Sequence, residues 1–303
     1  MLEAARRIAG SVRRTPATCV EIEGVAVHAK WECDQIGGAF KARGAFNRLL
    51  ALSQEERERG VVAFSSGNHA RGVAIAARQI GMKAAIVMPA DAPSVKLEAT
   101  RAEGAEIVLY DRLGESREAI AARLAAERGA TLVPSFDDPF IVAGQGTIGL
   151  ELLEQVPALK RIVVCCGGGG LASGIALACP DAEMVVVEPE GWDDMARSLE
   201  SGKPERLSPP LPETICDAIQ TLQPAQLTID ILRARQARAV QVSEAAVKAA
   251  MRYAFAEHGK TVEPGGSVAL AALLSGVVSP REGDVAIVSG GNVDPALFAE
   301  IVG

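Results

Sequence analysis

Arg161-Ile162-Val163-Val164-Cys165-Cys166-Gly167-Gly168-Gly169-Gly170-Leu171-Ala172 reads as a short apolar run that breaks into four consecutive glycines. A run of this length rich in Val and Ile suits a buried strand, and glycines followed by Leu171 to Ala178 suit a tight turn into a helix. Met184 to Glu188 supplies the next strand, so the unit is one βαβ crossover and its strands are parallel. Unpaired amides at such a turn, with the positive end of a helix, form an anion site for which phosphate is the expected guest. The same residues satisfy the G-x-G-x-x-A dinucleotide fingerprint, with Glu188 at the acidic position about 20 residues on. A phosphate cradle, a nicotinamide site and a plain glycine turn packed on the sheet therefore all stand at this point. Ile162 to Cys179 is uncharged, but its five glycines favour strand, turn and helix over a membrane span.

Outward from this unit the alternation continues. Strands are expected at Val25–Glu32, Val61–Ser65, Lys83–Met88, Glu106–Tyr110, Ala239–Val242 and Asp284–Ser289, with helices over 40–52, 68–80, 94–103, 115–128, 146–155, 243–258 and 266–274. Strands alternating with helices imply an α/β fold built on parallel sheets. Phe136-Asp137-Asp138-Pro139 is read as a turn cluster where the chain crosses between domains, and residues 201–226, rich in proline, as a surface loop.

The chain has 303 residues, 49% apolar and only 4% aromatic, which suits two domains with buried parallel strands. A net charge of −7 argues against nucleic acid or an anionic membrane as partner and leaves small metabolites. Six cysteines without CxxC pairs, and no export signal near Met1, fit a reducing cytoplasm. Cys165 and Cys166 are expected to point to opposite faces of one strand and to serve packing.

Three further turns bear reactive groups. In Gly37-Gly38-Ala39-Phe40-Lys41-Ala42-Arg43-Gly44-Ala45 a lysine sits between a glycine turn and an amphipathic helix. Desolvation by small residues and Phe40 would favour its neutral amine, which can form a Schiff base with a carbonyl group. Ser65-Ser66-Gly67-Asn68-His69 is a strand-to-helix turn that could hold a carboxylate or simply cap its helix. Ser289-Gly290-Gly291-Asn292 follows the last strand, where open α/β sheets bind ligands.

Together with Glu32, Gln35, Gly144-Gln145-Gly146-Thr147 and Glu263-Pro264-Gly265-Gly266, these turns stand in an order that resembles the fold type II pyridoxal-phosphate enzymes, specifically the serine/threonine dehydratase and serine racemase group. The resemblance spans nearly the whole chain. It implies two open twisted-sheet domains of the tryptophan synthase β-like kind: a small domain (41–135) inserted in a large cofactor-binding domain (1–40 and 136–303). It also implies a homodimer, and no C-terminal regulatory domain. Lys41 would hold pyridoxal 5'-phosphate as a Schiff base and move the Cα proton, with Phe40 flanking the ring and Asn68 bonding its 3-hydroxyl. Gly167, Gly168, Gly169, Gly170 and the Leu171 amide would hold the phosphate. Ser289 would meet the pyridine nitrogen, which a hydroxyl cannot keep protonated as an aspartate would. Ser65, Ser66, Gly67 and His69 would receive the substrate.

The implied reaction is dehydration and deamination of a small L-β-hydroxy amino acid (threonine, serine or 3-hydroxyaspartate) to a 2-oxo acid and ammonia. Departures from the group leave the substrate open: Gly37-Gly38-Ala39 replaces Thr-Gly-Ser. Ser66 stands where dehydratases often have alanine, and racemases use a serine there to reprotonate Cα, so serine or aspartate-type racemisation is the alternative. Arg117 could pair with a second substrate carboxylate, favouring hydroxyaspartate. Glu188, the Trp192 carbonyl and Asp194 resemble the Mg2+, Mn2+ or Ca2+ loop of racemase-like members, against the plainer reading of a solvated acidic helix start. An NAD-binding oxidoreductase is the remote alternative.

Overall fold

The computed structural model describes every residue of the chain except 93 and 113. Among the described residues ten strands form two sheets: β1 Ala17–Ile22, β2 Val25–Trp31, β3 Val61–Phe64, β4 Ala84–Pro89, β5 Glu106–Tyr110, β6 Thr131–Leu132, β7 Arg161–Cys165, β8 Glu183–Pro189, β9 Arg238–Val242 and β10 Asp284–Val288. The larger sheet has the order β1-β2-β10-β7-β8-β9 and the smaller β5-β4-β3-β6. All pairings are parallel except β1 with β2. In the larger sheet β10 lies between β2 and β7, pairing Val288 with Trp31 and Ile287 with Val164. Every residue of β7 and β10 is buried, as expected for strands covered by helices on both faces. Among the described residues, no helix is long and apolar enough to cross a membrane.

The expected strands and helices stand close to their sequence-based bounds, with some differences. β1 was not anticipated, although Glu23 and Gly24, both at positive φ, make the tight hairpin turn that pairs it with β2. Asp137-Asp138-Pro139 is a helix start rather than a plain turn. The Asp138 carboxylate accepts from the Phe140 and Ile141 amides, and Pro139 opens the helix Pro139–Gln145. Leu2–Ile8, Gln226–Ala234 and Pro295–Val302 are further helices that no expectation covered.

One buried ionic cluster fixes the helix Lys41–Leu50 against the larger sheet. Arg43, with no exposed surface, donates Nε and Nη2 to the Glu32 carboxylate at 2.8 Å each, and Nη1 to Glu151 at 2.6 Å and Thr147 at 3.1 Å. Glu32 also accepts from the Thr15 hydroxyl, and Lys30 donates to Glu151 at 2.5 Å and Gln155 at 2.9 Å. Burial alone would raise the Glu32 carboxyl; the Arg43 charge and hydrogen bonds reverse this and hold it below its ordinary value. Glu32→Ala is expected to cost about 3–5 kcal/mol, because it leaves a buried guanidinium short of its counter-charge. Urea unfolding measures it; a loss of only about 0–1 kcal/mol, the range of an exposed pair, would show that the cluster does not hold the helix.

Candidate functional site

The carboxyl ends of β2, β3, β7, β8 and β10 each run into one of the turns singled out in the sequence. The lysine turn is shaped by Gly37 and Gly38, both at φ +75°. A Cβ on Gly38 would overlap the Asn292 side chain, so only glycine permits this approach. Ala39 then bridges to Gly290, Gly291 donates its amide to the Gly38 carbonyl at 2.8 Å, and Phe40 donates its amide to the Ser289 carbonyl at 3.0 Å. The last strand's exit is thereby stitched alongside the lysine turn, and Lys41 opens its helix at that seam.

Lys41 donates Nζ to the Ser135 carbonyl at 3.0 Å, and its ammonium lies 5.0 Å from the centre of the Phe40 ring. Burial lowers its pKa from the ordinary 10.5 to about 8, with Cys165 and Glu263 pulling weakly the other way. The amine is thus largely neutral in mildly alkaline solution.

Segment 133–136 organises the site, and nothing in the sequence announced it. The Val133 carbonyl lies 2.9 Å from His69 Nε2, the Ser135 carbonyl receives Lys41, the Phe136 ring lies where a Cβ on Gly168 would be, and the Phe136 Cβ and backbone crowd that position on Gly170. Gly169, at φ +87°, is crowded by Met195 and Thr228, whose hydroxyl donates to the Gly168 carbonyl at 2.8 Å. The glycine loop is therefore packed firmly from outside. It leads into the nine-residue helix Gly170–Ala178, whose first amides have no partner within the helix.

In the Ser65–His69 turn, Ser65 Oγ accepts from the Gly67 amide at 3.2 Å, and Ser66 is partly buried. His69 is buried, and burial followed by the Lys41 charge lowers its pKa to about 3, so the ring is neutral. Asn68 joins a chain of side chains: its Nδ2 donates to Glu263 at 2.6 Å, and its Oδ1 accepts from Asn292 Nδ2 at 2.8 Å. Asn292 Nδ2 also donates to the Gly37 carbonyl at 2.7 Å and its Oδ1 accepts from Arg71 at 3.0 Å. Glu263, buried and pushed up to about 8 by desolvation, was seen in the sequence only as part of a motif. Asn292 likewise had no role before the structure linked it to the lysine turn, to Asn68 and to Arg71.

Ser289, at the end of β10, is 3% exposed. Its hydroxyl accepts from the Cys165 thiol at 3.2 Å, so Cys165 does more than the packing expected of it. Lys41, Phe40 and Ser289 thus come together, with Cys165 joined through Ser289, Glu263 through Gly290, and Asn68 through Glu263.

Arg117 stands apart at an exposed rim. It pairs with Glu118 at 2.8 Å, and its guanidinium lies 5.6 Å from the centre of the Phe64 ring, the residue before Ser65. Glu188 and Asp194 are buried at the start of the helix Asp194–Ser201, so the acidic helix start is present but is not solvated at these two residues. The Glu188 carboxylate accepts from the amides of Met195 at 2.8 Å and Ala196 at 3.0 Å, and Asp194 Oδ2 has no hydrogen-bond partner among the described residues. Trp192, partly buried, donates Nε1 to the Pro212 carbonyl at 3.0 Å. No group of three or more His, Cys, Asp or Glu side chains suited to a metal occurs among the described residues.

Comparison with known proteins gives a consistent result. The family described as pyridoxal-phosphate dependent enzyme matches residues 8–290. The chain is 43% identical to an L-threo-3-hydroxyaspartate ammonia-lyase of a Pseudomonas species, covering 100% of this chain and 97% of that protein. Among solved structures, maize serine racemase superposes with a TM-score of 0.92 at 38% identity, covering 99% of this chain and 94% of that one. A threonine deaminase of T.th. superposes with a TM-score of 0.89 at 41% identity, covering 97% of each chain.

In cofactor-free protein the acylation rate of Lys41, followed by peptide mapping, is expected to rise with pH as the ammonium loses its proton, with a midpoint near 8. A midpoint at the ordinary 10.5 would show that the turn does not desolvate the amine.

Proposed function

The chain belongs to the pyridoxal-phosphate dependent enzymes, and we propose that it is an ammonia-lyase converting a small L-β-hydroxy amino acid to a 2-oxo acid and ammonia. The observation that carries this reading is the Lys41 amine, 3.0 Å from the Ser135 carbonyl on a segment whose Val133 reaches His69 and whose Phe136 packs on the glycine loop, beside the Phe40–Ser289 backbone bond. Membership of the family replaces the nicotinamide alternative for the glycine loop.

The residues fit the cofactor. A firmly packed loop with free helix-start amides suits a phosphate dianion at Gly167, Gly168, Gly169, Gly170 and Leu171. Phe40 offers an apolar face beside Lys41, Asn68 has a second amide hydrogen beyond the one given to Glu263, and Ser289 has a hydroxyl to direct at the ring nitrogen. Pyridoxal phosphate, when bound, supplies an electron sink that acidifies the Cα–H bond of an attached amino acid. Lys41 then takes the Cα proton, and the Ser65, Ser66, Gly67 and His69 turn receives the substrate carboxylate. Water leaves with the β-hydroxyl and is restored on hydrolysis, so the net products are the 2-oxo acid and ammonia.

Arg117, whose guanidinium lies over Phe64, the residue before Ser65, would take a second carboxylate, which would favour 3-hydroxyaspartate over threonine and serine. Ser66, a partly buried hydroxyl in the Ser65–His69 turn, supports racemisation as the other reading. Glu188, the Trp192 carbonyl and Asp194 would hold Mg2+, Mn2+ or Ca2+; the unpartnered Asp194 oxygen is the feature that fits an oxygen-seeking cation. The small domain would span 41–135 and the large one 1–40 with 136–303. Six free thiols suit a cytoplasmic enzyme, which would act as a homodimer, and sedimentation checks the latter.

Ammonia release from L-serine, L-threonine and the 3-hydroxyaspartate isomers tests the assignment. It is expected from at least one substrate, to be lost in Lys41→Ala, and to fall for hydroxyaspartate far more than for serine in Arg117→Ala. Chelation is expected to lower the rate and the thermal midpoint together, and an unchanged protein would remove the metal. Inversion at Cα without ammonia would replace the lyase reading by racemisation.

A further inference from the structure

We propose that Cys165 is a positioning residue that sets the direction of the Ser289 hydroxyl, by donating its thiol hydrogen to Ser289 Oγ and leaving the hydroxyl's own hydrogen free for the cofactor's ring nitrogen. This rests on the proposed place of Ser289 at that nitrogen.

The geometry leaves the serine little other freedom. Its amide donates to the Gly266 carbonyl at 3.1 Å and its carbonyl accepts from the Phe40 amide at 3.0 Å, so the backbone is held on both sides. What remains is the side-chain rotamer, which sets Oγ 3.2 Å from Cys165 Sγ, and rotation of the O–H bond. A serine hydroxyl has one hydrogen to give and two lone pairs to receive, whereas an unprotonated pyridine nitrogen can only accept. If the hydroxyl spent its hydrogen on the sulfur it would present a lone pair to a lone pair. The 3.2 Å contact of Cys165 Sγ with Ser289 Oγ removes that option when the thiol is the donor. Cys165 is well suited to remain a donor: it is 4% exposed, and burial raises its pKa to about 11, so it stays a thiol throughout the working range. β10 and β7 are neighbours in register, Ile287 opposite Val164, which brings their next residues, Val288 and Cys165, side by side just before Ser289. The cysteine is thus the strand's own means of reaching the hydroxyl. Cys166, one residue on, turns its sulfur to the Gly167 carbonyl instead, at 3.3 Å, and has no such effect.

The test uses the cofactor-loaded protein with Cys165→Ala, Cys165→Ser, Ser289→Ala and the Cys165→Ala/Ser289→Ala double variant, recording the visible absorption maximum, the cofactor dissociation constant and the thermal midpoint. Cys165→Ala is expected to displace the absorption maximum and weaken cofactor binding by about two- to tenfold, the range a net neutral hydrogen bond is worth. Cys165→Ser, equally small but able to donate, is expected to restore both. In the Ser289→Ala background Cys165→Ala is expected to do nothing further to the spectrum, because the coupling runs through the hydroxyl. Equal spectra and affinities for wild type and Cys165→Ala, or equal changes in the Ala and Ser variants that follow the thermal midpoint alone, would overturn the inference and leave the cysteine to packing. A Ser289→Ala spectrum identical to wild type would instead remove Ser289 from the ring nitrogen, which is a failure of the site assignment on which the inference rests.

Discussion

The buried bond between Arg43 and Glu32 is the constraint on which the site depends. Glu32 directly follows β2, and Arg43 lies in the first turn of the helix that Lys41 opens. Their two 2.8 Å contacts, backed by Glu151, tie that helix to the larger sheet while its opposite side packs against the helix Asn68–Ile80 of the smaller sheet. A charged pair with no exposed surface costs desolvation that only good geometry and further partners offset. Thr15, Thr147 and Glu151 supply those partners.

With the helix fixed, the other turns converge on its first residue through backbone contacts. The exit of β10 lies beside residues 37–40, the segment 133–136 carries carbonyls to Lys41 and His69, and its Phe136 ring underpins the glycine loop. Asn292 links the lysine turn to Asn68, and Glu263 closes that chain from the helix Pro264–Leu274 side. The arrangement uses local residues for shape and distant ones for alignment, as a precise cofactor site requires.

Much of this was legible in the sequence because it rests on local signals. Four glycines after a Val-rich run specify a strand-to-helix turn, and Gly37-Gly38 before Lys41 specifies a backbone that only glycine adopts. The order of such turns pointed to the family. The helix and strand bounds followed from periodicity, which reports burial directly. The segment 133–136 was not legible, because its function lies in main-chain carbonyls, and any residue supplies a carbonyl. Glu263 and Asn292 act across separations of about 200 residues, which no spacing rule reaches. The contact of Cys165 with Ser289 was not legible either, because a partner 124 residues away leaves no mark on the strand that carries the thiol. The acidic stretch at Glu188 was ambiguous for a different reason: whether its carboxylates are solvated depends on burial, and burial is a tertiary property.

The most direct measurement is borohydride reduction of the protein loaded with pyridoxal phosphate, followed by digestion and mass mapping of the labelled peptide. A single pyridoxyl group on Lys41 is the expected result, with loss of the visible absorption in step with labelling. Labelling of another lysine, or none while the protein retains bound cofactor, would contradict the placement of the chemistry at the start of the helix Lys41–Leu50.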